Sequence, residues 1–155
     1  MRQAGRCACF AVVPQGLDRA VGLLQLKALT TDFAVAEWGF AIGAPFWGTG
    51  LFMESAALTV DLALDLVGVH RLEARAVTLN GRGNGALMKL GAVREAVLRR
   101  SFDRGGRRYD QYLWSILAHE WRERRVHHVG VGHTRLAASD GQTHMWASRA
   151  SSCPA

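Results

Sequence analysis

The residues most able to do chemistry in this chain lie in one run, Glu37-Trp38-Gly39-Phe40-Ala41-Ile42-Gly43-Ala44-Pro45-Phe46-Trp47-Gly48-Thr49-Gly50-Leu51. It reads as a strand, a glycine turn and the first turn of a helix. At such a junction the leading N–H groups of the helix have no intrahelical partners, and they converge at the positive end of the helix dipole. That chemistry is anion binding, phosphate above all. The strand before it offers main-chain donors and acceptors to an extended ligand. A ligand carrying both a diphosphate and an amide-bearing arm would engage the two parts together. A Walker A loop is excluded, because no Gly-Lys-Ser/Thr ending is present. A dinucleotide fingerprint is not matched either: the position that needs its third glycine is Met53.

Several elements must position this run. Cys7 to Val13 is a strand candidate closed by the turn signal Pro14-Gln15-Gly16. Ala20 to Leu29, rich in Val and Leu, is a second strand, Thr30-Thr31-Asp32 turns the chain, and Val35 to Ile42 is a third. Together they predict an antiparallel meander. Leu51 to Val67 is the clearest helix. Phe52, Ala56, Val60, Ala63, Leu64 and Val67 form its apolar stripe, Glu54, Asp61 and Asp65 lie on the opposite face, and Gly68 is placed to cap its end. Arg71 to Leu79 alternates as a strand. Ala86 to Leu90 is a short helix stopped by Gly91. Val93 to Phe102 and Arg107 to Leu117 flank Asp103-Arg104-Gly105-Gly106 as a closing hairpin.

The order of motifs extends beyond the glycine turn. Gly68-Val69-His70-Arg71-Leu72-Glu73-Ala74 follows the helix, then Asn80, then Leu87-Met88-Lys89-Leu90-Gly91-Ala92, Glu95, the Gly105-Gly106 turn and Tyr109-Asp110. This succession resembles the GCN5-related N-acetyltransferase (GNAT) superfamily, and within it the branch that acetylates the N-termini of ribosomal proteins. The resemblance runs from about Val21 to Trp121. It implies an α/β (α+β) fold with a mixed central sheet: an antiparallel meander, then helix, strand, helix and a C-terminal hairpin. It implies acetyl-coenzyme A as donor and a primary amine as acceptor, on a protein N-terminus or a small molecule. Three departures stand out: Pro45 where many relatives have Gln or Arg, Gly83 where the branch has Ser, and Ala92 in place of Phe.

Acetyl transfer from a thioester needs the thioester held beside the amine, a proton removed from the amine, and the developing oxyanion stabilised. If the end of the third strand splays from its neighbour, main-chain groups of Phe40, Ala41 and Ile42 are in position for the pantetheine arm and the thioester carbonyl. Gly48, Thr49, Gly50 and Leu51 would hold the diphosphate, and glycine there admits close approach of the backbone. Trp38 and Trp47 are placed to line the pocket, against the plainer reading that large aromatics at a strand and a turn belong to the core. Glu37, on the same strand, is the first choice for the base; the competing reading is a strand-edge charge paired with an arginine. By resemblance Asn80 contacts the pantetheine or a bridging water, against the plainer reading of a turn residue before Gly81. Asn84 is placed to contact the cofactor. With Ser absent at Gly83 and Met88 near the place of the superfamily's tyrosine acid, the leaving thiolate would be protonated by solvent.

Composition bounds the rest. A chain of 155 residues with 49% hydrophobic residues suits one domain. The acyltransferase domain is expected over 1–121, and 122–155, rich in Arg, His, Ser and Gly, as a mobile basic tail. No apolar run reaches membrane-spanning length. Three cysteines, an odd number, imply no disulfide framework. Cys7 and Cys9 read as buried thiols on one strand face, and the expected location is cytoplasmic. The histidines His127, His128, His133 and His144 lack Cys or carboxylate partners at ligand spacing, so no metal is expected. The formal charge of +6 favours anionic partners. Aromatic residues are not interleaved with the basic ones, which speaks against nucleic acid as the main partner. Only about twenty residues precede the second strand, where relatives carry a strand and one or two helices, so a truncated or frame-shifted front is expected. Two alternatives follow: a coenzyme A-binding domain without catalysis, and a basic module for RNA or ribosomes. The oligomeric state is open.

Overall fold

The computed structural model describes residues 7–129 and 147–148. Three antiparallel strands come first, β1 (Cys7–Val12), β2 (Gly22–Ala28) and β3 (Val35–Ile42). A short 3-10 turn (Ala44–Phe46) leads into α1 (Leu51–Asp61), which continues through a wider π turn (Leu62–Val67). Then follow β4 (Arg71–Val77), α2 (Gly81–Leu90), β5 (Val93–Arg104), β6 (Arg107–Leu117), α3 (Ala118–Val129) and the two-residue β7 (Ala147–Ser148). The sheet order is β5-β6-β4-β3-β2-β1-β7. Among the described residues only the β3–β4 pair is parallel, as expected for two strands joined through a crossover helix.

Alternation divides the sheet into two faces. Phe10, Val12, Leu24, Leu26, Ala36, Trp38, Leu72, Ala74, Trp114 and Ile116 are buried. They form one cluster with Ala56, Val60, Ala63 and Leu64 after the glycine turn, Leu87 and Leu90 of α2, and Ala118 and Trp121 of α3. The other face carries Gln25, Lys27, Glu37, Arg71, Glu73 and Arg75, partly or fully exposed. Cys7 and Cys9 lie on this face half-buried, not in the core as expected, and Cys7 Sγ accepts a hydrogen bond from Gln25 Nε2.

Several expected elements shift in the structure. The long helix ends as expected at Gly68 (φ 85°), with Val69 N–H bonded to Ala63 O. The π turn changes the helical phase near its end, so Leu66 and Val67 are exposed and Val67 leaves the apolar stripe. Asp61, part-buried, and Asp65, exposed, both find partners on α3. Trp121 Nε1 donates to Asp61 at 2.7 Å, and Arg122 and Arg125 bridge to Asp65 and Asp61. Helix α3 therefore runs through the expected junction at Trp121–Arg122, held by Ala118 and Trp121 in the core and by polar contacts to α1 and the π turn. The rest of the expected tail, apart from β7, lies outside the described residues, and so do His133 and His144.

Helix α2 begins at Gly81, well before the expected Ala86. Three early glycines, Gly81, Gly83 and Gly85, lower its propensity. Asn80 compensates as N-cap, its Oδ1 accepting from Gly83 N–H at 2.9 Å. The final hairpin closes on Gly105 (φ 60°) and Gly106 (φ 76°), a left-handed pair suited to a two-residue hairpin loop.

On the open face Arg71 holds Glu95 through two hydrogen bonds, 2.9 and 2.6 Å, and Ser115 Oγ donates to the same carboxylate. The guanidinium first, then the hydroxyl, push the Glu95 pKa from its ordinary 4.5 down to about 2. A carboxyl depressed on folding stabilises the fold fully above its unfolded pKa, and that contribution is lost as pH falls through about 2. Glu95→Gln should flatten the dependence of Tm on pH between these values in scanning calorimetry. An unchanged slope would mean that the pair contributes nothing.

Candidate active site

The site begins where β3 and β4 part. Their pairing covers only Val35↔Arg71, Ala36↔Leu72 and Glu37↔Glu73, while β4 continues along β6 as far as Val77↔Gln111. Past Glu37, β3 keeps its pairing to β2 and leaves its other edge open. The hydrogen bonds Leu29 N–H to Val35 O and Gly43 N–H to Val21 O show which residues face β2. By alternation these are the odd-numbered residues of β3. The N–H and C=O of Phe40 and the N–H of Ile42 therefore face the fork. Ala41 directs its polar groups to β2, so it supplies wall and not donors. Ile42 O is taken by Trp47 Nε1 at 2.8 Å.

The strand is continuous here: the β2–β3 register runs without a shift from Ala28↔Ala36 to Gly22↔Ile42. Simple alternation thus holds. Phe40 lies over α1, its ring 4.4 Å from that of Phe52, and Glu37 lies on the opposite face. Glu37 is part-exposed, at the last paired position before the fork, with its carboxylate 3.7 Å from Arg75 Nε. The arginine pairing weighed from sequence is present.

Beyond β3 the chain turns through Gly48 (φ 77°) and Gly50 (φ 86°), the latter the N-cap of α1. Left-handed backbone at both positions explains the glycines. Thr49 Oγ1 donates to Phe46 O and accepts, at 3.4 Å, from Leu51 N–H, so Thr49 pins the turn. The following N–H groups of Phe52 and Met53 open a helix and have no intrahelical acceptor.

These parts line one cleft of about 900 Å³. Phe40, Ala41, Ile42, Trp47, Gly48, Gly50 and Asn80 of the expected set line it; Thr49, Leu51, Glu37 and Asn84 do not. The amide of Asn84 is engaged within the protein: Nδ2 donates to Val77 O and Asn80 O, and Oδ1 accepts from Trp114 Nε1 at 2.9 Å. It ties α2 to β4 and β6. Asn84→Leu should orphan the Trp114 donor and a strand carbonyl, at about 1–3 kcal/mol for each buried group. The expected result is a Tm lower by at least roughly 4 °C. An unchanged Tm with weakened coenzyme A binding would return Asn84 to the cofactor. Trp38 takes the plainer of its two readings, buried in the core at 2% exposure.

Sequence reasoning missed the second wall. Arg82, Gly85, Ala86 and Lys89 of α2 line the cleft. Their spacing is that of one helical stripe, a signal hidden by starting the helix at Ala86. Among the described residues both cations line the cleft and no Asp or Glu does. An extended arm with amides, joined to a diphosphate, matches the open strand edge, the glycine turn and this charge. The site therefore fits coenzyme A, and the thioester of the acetylated form would supply the activated acyl group.

The profile of the acetyltransferase (GNAT) domain family matches residues 1–93, more than half of the chain. The chain belongs to that family. It is 25% identical over 117 residues to the N-acetyltransferase p20 of Bacillus licheniformis, itself uncharacterised, covering 76% of this chain and 66% of p20. It is 30% identical over 97 residues to another uncharacterised N-acetyltransferase, YoaA of Bacillus subtilis (strain 168), covering 63% of this chain and 55% of YoaA. The chain thus spans just under two thirds or less of these relatives. Among solved structures, the spermidine/spermine N-acetyltransferase SpeG from Vibrio cholerae, in complex with manganese ions, superposes with a TM-score of 0.70 at 20% identity, over 79% of this chain and 71% of that one. Ribosomal-protein-S5-alanine acetyltransferase from Vibrio fischeri gives 0.68 at 22% identity, over 74% and 63%. At these identities the structural matches establish the fold. No helix among the described residues is long and apolar enough to cross a membrane.

Proposed function

We propose that this protein transfers an acetyl group from acetyl-coenzyme A to a primary amine. The observation that carries the reading is the fork of β3 and β4, opening directly onto a glycine turn and helix N-terminus in a cleft lined, among the described residues, by two cations and no acid. The Phe40 N–H and C=O bind the amides of the arm and, where the thioester lies, the N–H polarises its carbonyl. Gly48, Gly50 and the first N–H groups of α1 take the diphosphate. The amine enters from the opposite sheet face, where Glu37 stands at the fork. Glu37 takes the ammonium proton directly or through a water, the freed nitrogen lone pair attacks the carbonyl carbon, the carbon–sulfur bond breaks as the nitrogen gives a second proton to solvent, and solvent protonates the thiolate. Asn80, the N-cap of α2, lines the cleft and in this reading would lie beside the arm.

The acceptor is a protein N-terminus or a small amine, and cytoplasmic location belongs to the same reading. Calorimetry with coenzyme A, followed by thiol release from acetyl-coenzyme A over a panel of N-terminal peptides and small amines, tests it. Micromolar binding with amine-dependent thiol release is the expected result. Binding without release for any amine would leave a coenzyme A-binding domain without catalysis. Absence of binding would remove both readings.

A further inference from the structure

Arg82 has no role in the steps above, yet its place is defined. It is the second residue of α2 and lines the cleft. Its Cζ lies 4.2 Å from the centroid of the Trp47 ring, on the wall that leads into the glycine turn. Trp47 is itself fixed, its Nε1 donating to Ile42 O. The pair therefore spans the cleft from α2 to the end of β3. It does so at the rim: Trp47 is 49% exposed and Arg82 is exposed. Among the described residues Arg82 is ion-paired with no carboxylate.

A guanidinium stacked on an indole uses only its face. Its N–H donors lie in the ring plane and remain open to an anion in a fork geometry suited to phosphate. The ligand's order along the site sets which phosphate that is. The arm takes the inner fork, the diphosphate takes the glycine turn, and the nucleoside end must leave by the rim, where Arg82 and Trp47 meet. We propose that Arg82, positioned by Trp47, binds the 3′-phosphate on the ribose of coenzyme A and so distinguishes it from cofactors without that group. The inference rests on the coenzyme A reading above. Lys89 lies on the same stripe of α2, seven residues and roughly 10 Å along the helix axis, too far to serve the same phosphate.

Calorimetry with coenzyme A and 3′-dephospho-coenzyme A on the wild type, Arg82→Gln and Lys89→Gln tests the assignment. Arg82 is exposed, so its replacement leaves the core intact. The wild type should prefer coenzyme A by roughly tenfold. Arg82→Gln should lose that preference, by weaker binding of coenzyme A alone, with dephospho-coenzyme A held within about twofold. Lys89→Gln should keep the preference. Equal binding of both ligands by the wild type would overturn the inference while leaving the coenzyme A site standing. So would equal weakening of both ligands by Arg82→Gln, or loss of the preference in Lys89→Gln. If the wild type binds neither ligand, the reading of the site falls with it.

Discussion

Replacing Gly50 by aspartate should weaken coenzyme A binding at least about tenfold, roughly 1.4 kcal/mol. Gly50 caps α1 at φ 86°, and a Cβ built there meets nothing within 4 Å. The loss therefore does not come from a clash. It has two sources: a left-handed backbone that costs an ordinary L-residue about 1–2 kcal/mol, and a carboxylate placed against the diphosphate. Gly50→Asn separates them, because Asn has the same shape without the charge and tolerates the left-handed region about as well. Calorimetry on both folded variants should show a much smaller loss for Asn. Equal losses would assign the effect to the backbone, and unchanged affinity in both would remove the phosphate cradle from this turn.

Glu37→Gln should lower turnover by roughly 10²–10⁴, the usual range for removing a general base. Coenzyme A affinity should stay within about twofold, since Glu37 does not line the cleft proposed for the cofactor. The acidic limb of the pH–rate profile should flatten at the same time. The competing role is structural, through the 3.7 Å approach to Arg75. That pair is partly exposed and worth at most about 1 kcal/mol, so a purely structural Glu37 predicts a small change in Tm and full activity. Arg75→Gln breaks the pair while keeping the carboxylate. If it lowers turnover as much as Glu37→Gln does, the proton-acceptor role fails.

Much of the fold was legible in local pattern. The bounds of β3 follow from a short run of strand formers between Asp32 and Gly43. The glycine cradle follows from two positions, Gly48 and Gly50, whose backbone turns out to be left-handed. Gly68 marks the helix end and Gly105-Gly106 the final hairpin for the same reason. Helix α2 was misread at its start because propensity counts three glycines against it, whereas one capping amide from Asn80 and the packing of Leu87 and Leu90 decide the matter. Helix α3 was read as tail beyond Trp121 because its fixing contacts are polar and come from α1, some sixty residues earlier in the chain.

By itself, then, the sequence determined the order of elements, the strand–turn–helix junction and the resemblance to a family, because each is written in neighbouring residues through backbone preference and periodicity. Only the tertiary structure decided how these parts form a site. The β3–β4 pairing stops after Glu37 and opens the fork. An unshifted register sends Glu37 to one sheet face and Phe40 to the other. The Asn84 amide is engaged by Trp114, and Arg82 is laid on Trp47 at the rim. Most of these outcomes join residues about thirty or more positions apart. They are settled by which strand edges pair and which donors find acceptors when the core closes, and no local stretch of the chain records that.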